Sequence, residues 1–236
     1  QGKGPDWGSF YLSRGFRIYP AFWATLALTV LVRQCVLQYG TLSSFWSAPV
    51  TWHSFFEQAA LIIPSSESRL LKQDWSLEWE LKFSLLIPVL IFLVRRGLGV
   101  FLLAVAIGLW GLKVEKFLFH FALGVSIASQ WDPLQRWFHA RSLGFRISWG
   151  LVALYLYCFR YTPKLNLPFV SNSDLQWYIG AVGSGMCLVG VAGSHRLRNL
   201  FERAPFLWLG ERSYSFFLVH YTVLLSLTPA VYRLTS

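Results

Sequence analysis

Two arginines lie close together near the start of the chain, in the stretch SRGFRIYP at residues 13–20. Arg14 and Arg17 are three residues apart and share one face of a helical turn, and Pro20 suits the first turn of the helix that follows. Guanidinium groups bind phosphate oxygens through paired hydrogen bonds, so the pair could hold a phosphorylated donor such as a coenzyme A thioester. An anchor for lipid headgroups gives the same pattern.

A second polar group opens a long apolar run, in the stretch DWSLEWELKFS at residues 74–84. Asp74 or Ser76 is suited to cap a helix that starts here. Glu78 and Lys82 are four residues apart and are expected to form an ion pair on one face of that helix. The segment therefore predicts a helix whose first turns carry charge and whose remainder is apolar.

Glu80 lies on a different face of the same predicted helix, about one turn inside the apolar run and near the outer surface. A carboxylate removed from water favours its protonated form, which suits a general acid or base. The structural alternative is an ion pair with an arginine such as Arg212 or Arg33, or an interfacial cap. Both interpretations of Glu80 remain open from the residues alone.

A third polar group lies in the last apolar segment, in the stretch LGERSYSFFLVH at residues 209–220. Ser213 and Tyr214 supply hydroxyl groups, and His220 follows in what we predict to be the outer half of the segment. An imidazole can take or give a proton at neutral pH. It can equally serve as a hydrogen-bonding group, so His220 is a candidate catalytic residue with a structural alternative.

The composition indicates that these groups belong to an integral membrane protein. Of the 236 residues, 55% are hydrophobic and only 14% are charged, and the mean hydropathy is +0.46. A soluble domain carries roughly 25% charged residues. We predict an all-α, polytopic transmembrane bundle with about seven or eight membrane segments. The seven stronger segments are Pro20–Gln38, Leu77–Val94, Gly97–Leu112, Phe117–Ser129, Ile147–Phe159, Trp177–Ala192 and Phe206–Ala230.

The weaker eighth segment, Trp52–Ile63, is expected to be interfacial or re-entrant. Phe117–Ser129 and Ile147–Phe159 are short for a bilayer and are expected to extend into flanking residues. The net charge of +10 is distributed mainly between the apolar segments, as the positive-inside rule expects. Counting Lys and Arg loop by loop puts the N-terminus and the loops around Arg95, Arg141 and Arg198 in the cytoplasm.

Several other classes of site are disfavoured. The three cysteines lie in apolar segments without a CxxC pair, so neither a disulfide framework nor a metal site is expected. The distribution of the basic residues argues against nucleic-acid binding. Gly183-Ser184-Gly185 is interpreted as a small-residue helix contact. No bound cofactor is expected.

The order of the motifs resembles the acyltransferase family 3 membrane proteins. The stretches that carry the resemblance are YLSRGFRIYPAFW, WSLEWELKFSLLIP, FHFALGVSIAS and LGERSYSFFLVHYTVL, and together they extend from Phe10 to about Leu225. The family shows an arginine pair before a proline, a Trp-Ser-Leu stretch with a following glutamate, and a Leu-Gly-x-x-Ser-Tyr helix that ends in histidine.

This resemblance implies an O-acyltransferase that moves an acyl group, usually acetyl, from a cytoplasmic coenzyme A thioester to a hydroxyl of a sugar or glycan. It assigns donor binding to Arg14 and Arg17, and catalysis to Glu80 and His220. Four residues are assigned a supporting role, namely Trp75, Ser76, Ser213 and Tyr214. The bilayer, acyl-CoA and the acceptor glycan are the expected partners, and a bacterial inner membrane is the expected location.

The chain also departs from the family pattern. Glu78 stands where the family has a small or neutral residue, and Ser84 stands where it mostly has tyrosine. The family begins with a helix that carries an essential histidine, followed by a second helix, and we expect residues 1–236 to be one transmembrane domain that lacks the first one or two of these helices. The catalytic histidine is then expected upstream of Gln1, with Glu80 orienting it.

Two other functions fit the same residues. A transporter or flippase of a lipid-linked glycan would use Glu80, Arg212 and His220 to line a path, although the paired half-repeats typical of transporters are not evident. A non-catalytic membrane scaffold is the third possibility. Coenzyme A release with acyl transfer distinguishes the enzyme from both.

Overall fold

A computed structural model of the chain describes residues 6–38, 46, 50–61, 70–71, 74–112, 115–161 and 173–235. Within these residues the fold is all-α, with ten α-helices and no strand. The helices are α1 Trp7–Gln38, α2 Trp52–Ala60, α3 Asp74–Arg96, α4 Leu98–Ala106, α5 Phe117–Ser129, α6 Trp131–His139, α7 Leu143–Cys158, α8 Ser173–Ala192, α9 His195–Phe201 and α10 Ala204–Thr235. A π-helical turn, Ile107–Gly111, continues α4.

The first helix begins earlier than the sequence predicts. Helix α1 starts at Trp7, so Pro20 lies inside it and not in its first turn, and that prediction is wrong. Proline removes one backbone hydrogen bond from a helix, but neighbouring helices and side chains can compensate for this loss in membrane helices. The aliphatic stems of arginine side chains also lie readily along apolar surface, so Arg14 and Arg17 do not interrupt the helix.

The two short apolar segments behave differently from each other. Helix α5 keeps the predicted limits Phe117–Ser129 and does not extend, because a turn at Gln130 ends it and α6 begins at once. Helix α7 gains a turn at its N-terminal end and starts at Leu143, where Ser142 accepts a hydrogen bond from the amide of Phe145. Helix α6 and helix α9 were not among the predicted segments, since neither is apolar enough for a membrane pattern.

Two described helices are long and apolar enough to cross a membrane by length and composition: Trp7–Cys35 in α1 and Leu175–Ala192 in α8. Three shorter apolar helices, Leu98–Trp110, Phe117–Ser129 and Leu143–Cys158, fall below that length. A helix of 13 residues spans about 20 Å at 1.5 Å per residue, against a hydrocarbon thickness of about 30 Å.

Some predicted features fall partly outside the described residues. These are Lys113 and Val114 of the predicted turn, the last residues of the Trp52–Ile63 segment, and several cations of the charge count: Lys3, Arg69, Lys72 and Lys164.

The chain divides into two compact units, and the first comprises residues 1–85 and 208–236. Its core begins with the buried side chains Ile18, Phe22 and Leu26, which are four residues apart on one face of α1. They pack with a cluster of leucines that are also buried, namely Leu61, Leu70, Leu71, Leu77, Leu81 and Leu218. Sequence-distant parts of the chain thus share one core in this unit.

Buried polar contacts link the helices of the first unit. The hydroxyls of Thr29 in α1 and Thr222 in α10 lie 2.7 Å apart, and both residues are buried. The amide of Gln58 in α2 donates to the Asp74 carboxylate at 2.5 Å, which connects α2 to the first residue of α3. Buried polar groups need such partners, since an unpaired one costs about 1–3 kcal/mol.

The second unit comprises residues 86–207, and α7 and α8 pack closely in it. A Cβ added at Gly183 of α8 would lie 2.8 Å from the Leu156 carbonyl carbon and 2.9 Å from the Ala153 oxygen, both backbone atoms of α7. The indole of Trp149 in α7 donates to the Met186 carbonyl at 2.9 Å. The predicted small-residue contact at Gly183 is therefore confirmed.

Candidate active site

Arg14 and Glu80 form an ion pair in the first unit. The Nη2 atom of Arg14 in α1 donates to Oε1 of Glu80 in α3 at 2.8 Å. The side chains are 27% and 41% exposed, respectively, so the pair lies at a half-buried position that solvent or a ligand can reach. The Nε atom of Arg14 is buried and makes no hydrogen bond. The guanidinium carries five N–H groups, and one of them is used on Glu80.

This contact corrects the predicted positions of the two residues. Arg14 was expected at the inner membrane surface and Glu80 near the outer surface, whereas their side chains touch. A second contact also brings this part of α1 against α3, because the hydroxyl of Tyr11 in α1 donates to the carbonyl of Leu85 in α3 at 3.1 Å. The early start of α1 explains the difference, since Arg14 lies two turns inside that helix. A candidate donor-binding residue and a candidate catalytic residue thus belong to one site.

Tyr214 of α10 lies beside this pair. Its hydroxyl donates to the Ile18 carbonyl of α1 at 2.9 Å, and the phenol lies close enough to Glu80 and Arg17 to interact electrostatically with both. The side chain packs against the core of the first unit. Three sequence motifs, on α1, α3 and α10, therefore meet around Arg14, Arg17, Glu80 and Tyr214.

The alternative partners proposed for Glu80 lie elsewhere. The Arg33 guanidinium is buried and donates to the Trp46 carbonyl at 2.9 and 3.2 Å. Arg212 lies 3.5 Å from Glu211. The predicted ion pair between Glu78 and Lys82 is confirmed, at 2.5 Å along α3. Glu78 and Glu80 thus use different faces of one helix and different cations.

His220 and Ser213 contact their own helix. The Nδ1 atom of His220 lies 2.5 Å from the Phe217 carbonyl, which can only accept a hydrogen bond. The side chain of His220 is exposed. Ser213 donates to the Gly210 carbonyl at 2.8 Å.

Trp75 and Ser76 lie in the first turn of α3. Trp75 is 38% exposed, and Ser76 is half-buried. Both residues precede Glu80 by about one turn of helix, so their position is set by the same element that positions the carboxylate.

A family model described as an acyltransferase domain, acyltransferase 3, matches residues 1–235. The chain belongs to this family. Acyltransferase 3 proteins are membrane proteins that transfer acyl groups, and the two long apolar helices are consistent with a membrane location. Comparison with the curated proteins and with the solved structures returned no match.

Because the chain belongs to an acyltransferase family, the contact between Arg14 and Glu80 can be compared with what acyl transfer requires. An acyltransferase must bind a donor, deprotonate an acceptor and stabilise the oxyanion that forms between them. Arg14 and Arg17 offer fixed cations, Glu80 offers a carboxylate, and Tyr214 offers a hydroxyl group. These four residues form one cluster, and the hydrogen bond of His220 is to its own helix.

Two contributors to the site were missed by sequence reasoning. Tyr11 joins α1 to α3 beside the ion pair, and Ser84, which is buried, donates its hydroxyl to the Glu80 carbonyl. A serine four residues after Glu80 on a helix is a signal for this second contact. The Tyr11 contact depends on how α1 and α3 pack, which no local pattern specifies.

Proposed function

We propose that this acyltransferase moves an acyl group, acetyl in the simplest case, from a coenzyme A thioester to a hydroxyl of a sugar or glycan. The observation that carries the proposal is the 2.8 Å contact between Arg14 and Glu80, in a chain of this family. It joins a group suited to the donor's phosphates and a group suited to proton transfer.

Arg14 and Arg17 bind the donor phosphates in this proposal. The partial exposure of Arg14 supports the assignment, because a guanidinium that uses one N–H on a carboxylate still has other N–H groups for a phosphate. Arg17 is exposed and adjacent to the same cluster. A phosphate bound to the other N–H groups of Arg14 shares its positive charge with Glu80, so donor binding loosens the ion pair and makes the carboxylate more available for the reaction.

The transfer itself is a nucleophilic acyl substitution. The acceptor oxygen attacks the thioester carbonyl as a histidine removes the hydroxyl proton, and the collapse of the tetrahedral intermediate breaks the C–S bond. The sulfur leaves as a thiolate and takes up a proton, which gives the ester and free coenzyme A. Nε2 of His220, or the upstream histidine that the family resemblance implies, serves as the base. Where the upstream histidine is the base, Glu80 orients it and stabilises its charge.

We further propose that the protein is a multi-pass protein of a bacterial inner membrane with a cytoplasmic N-terminus. Seven apolar segments, α1, α3, α4, α5, α7, α8 and α10, cross the bilayer in this arrangement, with local thinning of the bilayer around the short helices α4, α5 and α7. Helix α2 lies at the interface or re-enters. The lengths of α1 and α10, 32 residues each, support the assignment, since about 20 residues suffice to cross.

A transfer assay with labelled acetyl-coenzyme A tests the function. We expect purified protein in lipid to transfer the label to a glycan acceptor with stoichiometric release of coenzyme A. Arg17→Ala should raise the KM for acetyl-coenzyme A about tenfold with a smaller effect on kcat, since one charge-assisted phosphate contact is worth about 1.5–3 kcal/mol. Arg95→Ala, another exposed arginine, is the matched control and should leave both constants unchanged.

The outcome that rejects the proposal is specific. If full-length protein transfers no acyl group to any hydroxyl yet moves a lipid-linked glycan across the bilayer, the transporter alternative is correct. If transfer occurs but Arg17→Ala and Arg95→Ala have the same KM, the donor assignment alone is wrong.

A further inference from the structure

The second unit contains a cavity of about 780 Å³ that the acyl-transfer residues do not use. It is lined by α7 and α8 and, at one end, by the last residues of α6 and the first residues of α9. Its lining is mixed, with Arg146 and two histidines at the polar end and aliphatic side chains along the rest. This lining is complementary to an amphiphile, a molecule with a charged head and an apolar tail.

The polar end presents hydrogen-bond donors. Arg146 lines the cavity and is half-buried, and its guanidinium carries five N–H groups, of which the buried Nε–H has no hydrogen-bond partner. The imidazoles of His139 and His195 lie with their ring centres 5.2 Å apart, edge to face, and both line the cavity. A ligand with several acceptor oxygens in the cavity could pair with the guanidinium and with the imidazoles.

The charge around this end has one sign. A smaller adjoining cavity of about 330 Å³ shares both histidines and adds Arg136 and Arg198, while Arg196 lines the larger cavity. Among the described residues, neither cavity is lined by an aspartate or a glutamate. Glu202 lies 3.5 Å from Arg198 on the same helical surface and offsets part of that charge. An anion is the complementary ligand.

The apolar wall opens sideways along α7. Leu143, Ile147, Leu151 and Leu154 line the cavity, and each is at least 55% exposed. Their spacing of three or four residues places them on one face of the helix. A hydrocarbon chain lying on this face would be in contact with the cavity and with the surrounding bilayer at once.

We propose that this cavity binds an anionic phospholipid. The phosphate lies against Arg146 with His139 and His195 around it, and one acyl chain follows the wall formed by α7. A lipid fits better than a soluble thioester because the apolar wall is exposed laterally along the helix. The indole N–H of Trp149, beside the polar end, is already bonded to the Met186 carbonyl, so the phosphate must use the arginine and the histidines.

Lipid binding by the purified full chain tests the site. Native mass spectrometry would compare phosphatidylglycerol with phosphatidylcholine of identical acyl chains. We expect tighter binding of phosphatidylglycerol, and an approximately fivefold loss of that affinity in Arg146→Ala, since one cation near an anionic lipid contributes about 1 kcal/mol. Arg95→Ala, which removes an exposed arginine outside both cavities, is the matched control and should bind both lipids as the wild type does.

A second pair of variants tests the apolar wall. A Cβ added at Gly150 or at Gly144, both in α7, meets nothing within 4 Å, but only Gly150 lines the cavity. Gly150→Phe should occupy the space beside the apolar wall and lower the affinity for both lipids several-fold. Gly144→Phe should bind both lipids as the wild type does. Thermal unfolding of all variants confirms that they are folded.

Three results would overturn the proposal. The first is equal affinity for the two lipids in the wild-type protein. The second is wild-type binding of phosphatidylglycerol in both Arg146→Ala and Gly150→Phe. The third is displacement of phosphatidylglycerol by an equal concentration of a long-chain acyl-coenzyme A, which would make the cavity a site for a soluble amphiphile.

Discussion

At the scale of single residues, the exposure of the Arg14–Glu80 pair decides what it does. The two side chains are 27% and 41% exposed, so the protein does not fully enclose either of them. A substitution that keeps the size of either side chain therefore disturbs the packing little and reports mainly on chemistry. This makes the pair a better experimental target than the buried Arg33, which donates to the Trp46 carbonyl.

Glu80→Gln tests the carboxylate directly. The amide keeps the size of the side chain but cannot hold a proton or a negative charge, so we expect kcat/KM for acyl transfer to fall about 100-fold. Glu78→Gln is the control, since Glu78 pairs with Lys82 on another face of the same helix, and it should change the rate less than threefold. Equal rates for the two variants would remove Glu80 from the mechanism.

Tyr214→Phe tests the hydrogen bond that joins α10 to α1 at the site. The variant loses the hydrogen bond to the Ile18 carbonyl, so we expect a loss of about 1 kcal/mol of stability and a melting temperature lower by roughly 2–4 °C. Tyr157→Phe, at a residue that is 53% exposed, should melt as the wild type does. An unchanged melting temperature in Tyr214→Phe would contradict the bond.

Sequence reasoning identified the residues of the site but not their arrangement. Arg14, Arg17, Glu80 and Tyr214 were each singled out by type and spacing. The contact between Arg14 and Glu80 joins positions 66 residues apart, and it depends on how α1 packs against α3. Local patterns specify faces of helices, whereas the depth of one helix against another is set by packing, and this is why the two residues were wrongly assigned to opposite membrane surfaces.

At the scale of the elements, apolar runs located the long helices well and their ends poorly. The run from Leu77 to Val94 became α3, which continues to Arg96. The start of α1 was placed at Pro20 because proline favours a first turn, yet α1 begins at Trp7. The short helices α6 and α9 follow from amphipathic sequence and were missed, because a search for apolar segments does not detect them.

The packing of α7 on α8 gives a prediction for an element. Gly183→Ala should destabilise the protein by about 1–3 kcal/mol, because the new Cβ would meet the α7 backbone, which cannot move aside as a side chain can. Gly180→Ala lies one turn earlier on α8 with nothing within 4 Å of its Cβ, and it should be neutral or stabilising by up to about 1 kcal/mol. Thermal unfolding in detergent compares them, and a Gly183→Ala protein as stable as Gly180→Ala would refute the close contact.

At the scale of the whole molecule, the distribution of cations predicts sidedness. Ala140 and Glu115 are exposed residues in loops assigned to the cytoplasmic and outer faces, respectively. In a background with the native cysteines replaced by alanine, Glu115→Cys should react with a membrane-impermeant maleimide in intact cells. Ala140→Cys should react only after lysis. The reverse pattern would invert the proposed orientation.

The first unit is built from two separated stretches of the chain, residues 1–85 and 208–236, whereas the second is continuous. During synthesis, every residue of the second unit has left the ribosome before Trp208 does. Thr29 and Ile18 are therefore made long before their partners in α10, Thr222 and Tyr214, are synthesised. The cluster of Arg14, Arg17, Glu80 and Tyr214 is therefore completed last. A chain that ends before α10 would contain the whole sequence of the second unit but would lack Tyr214 at the site.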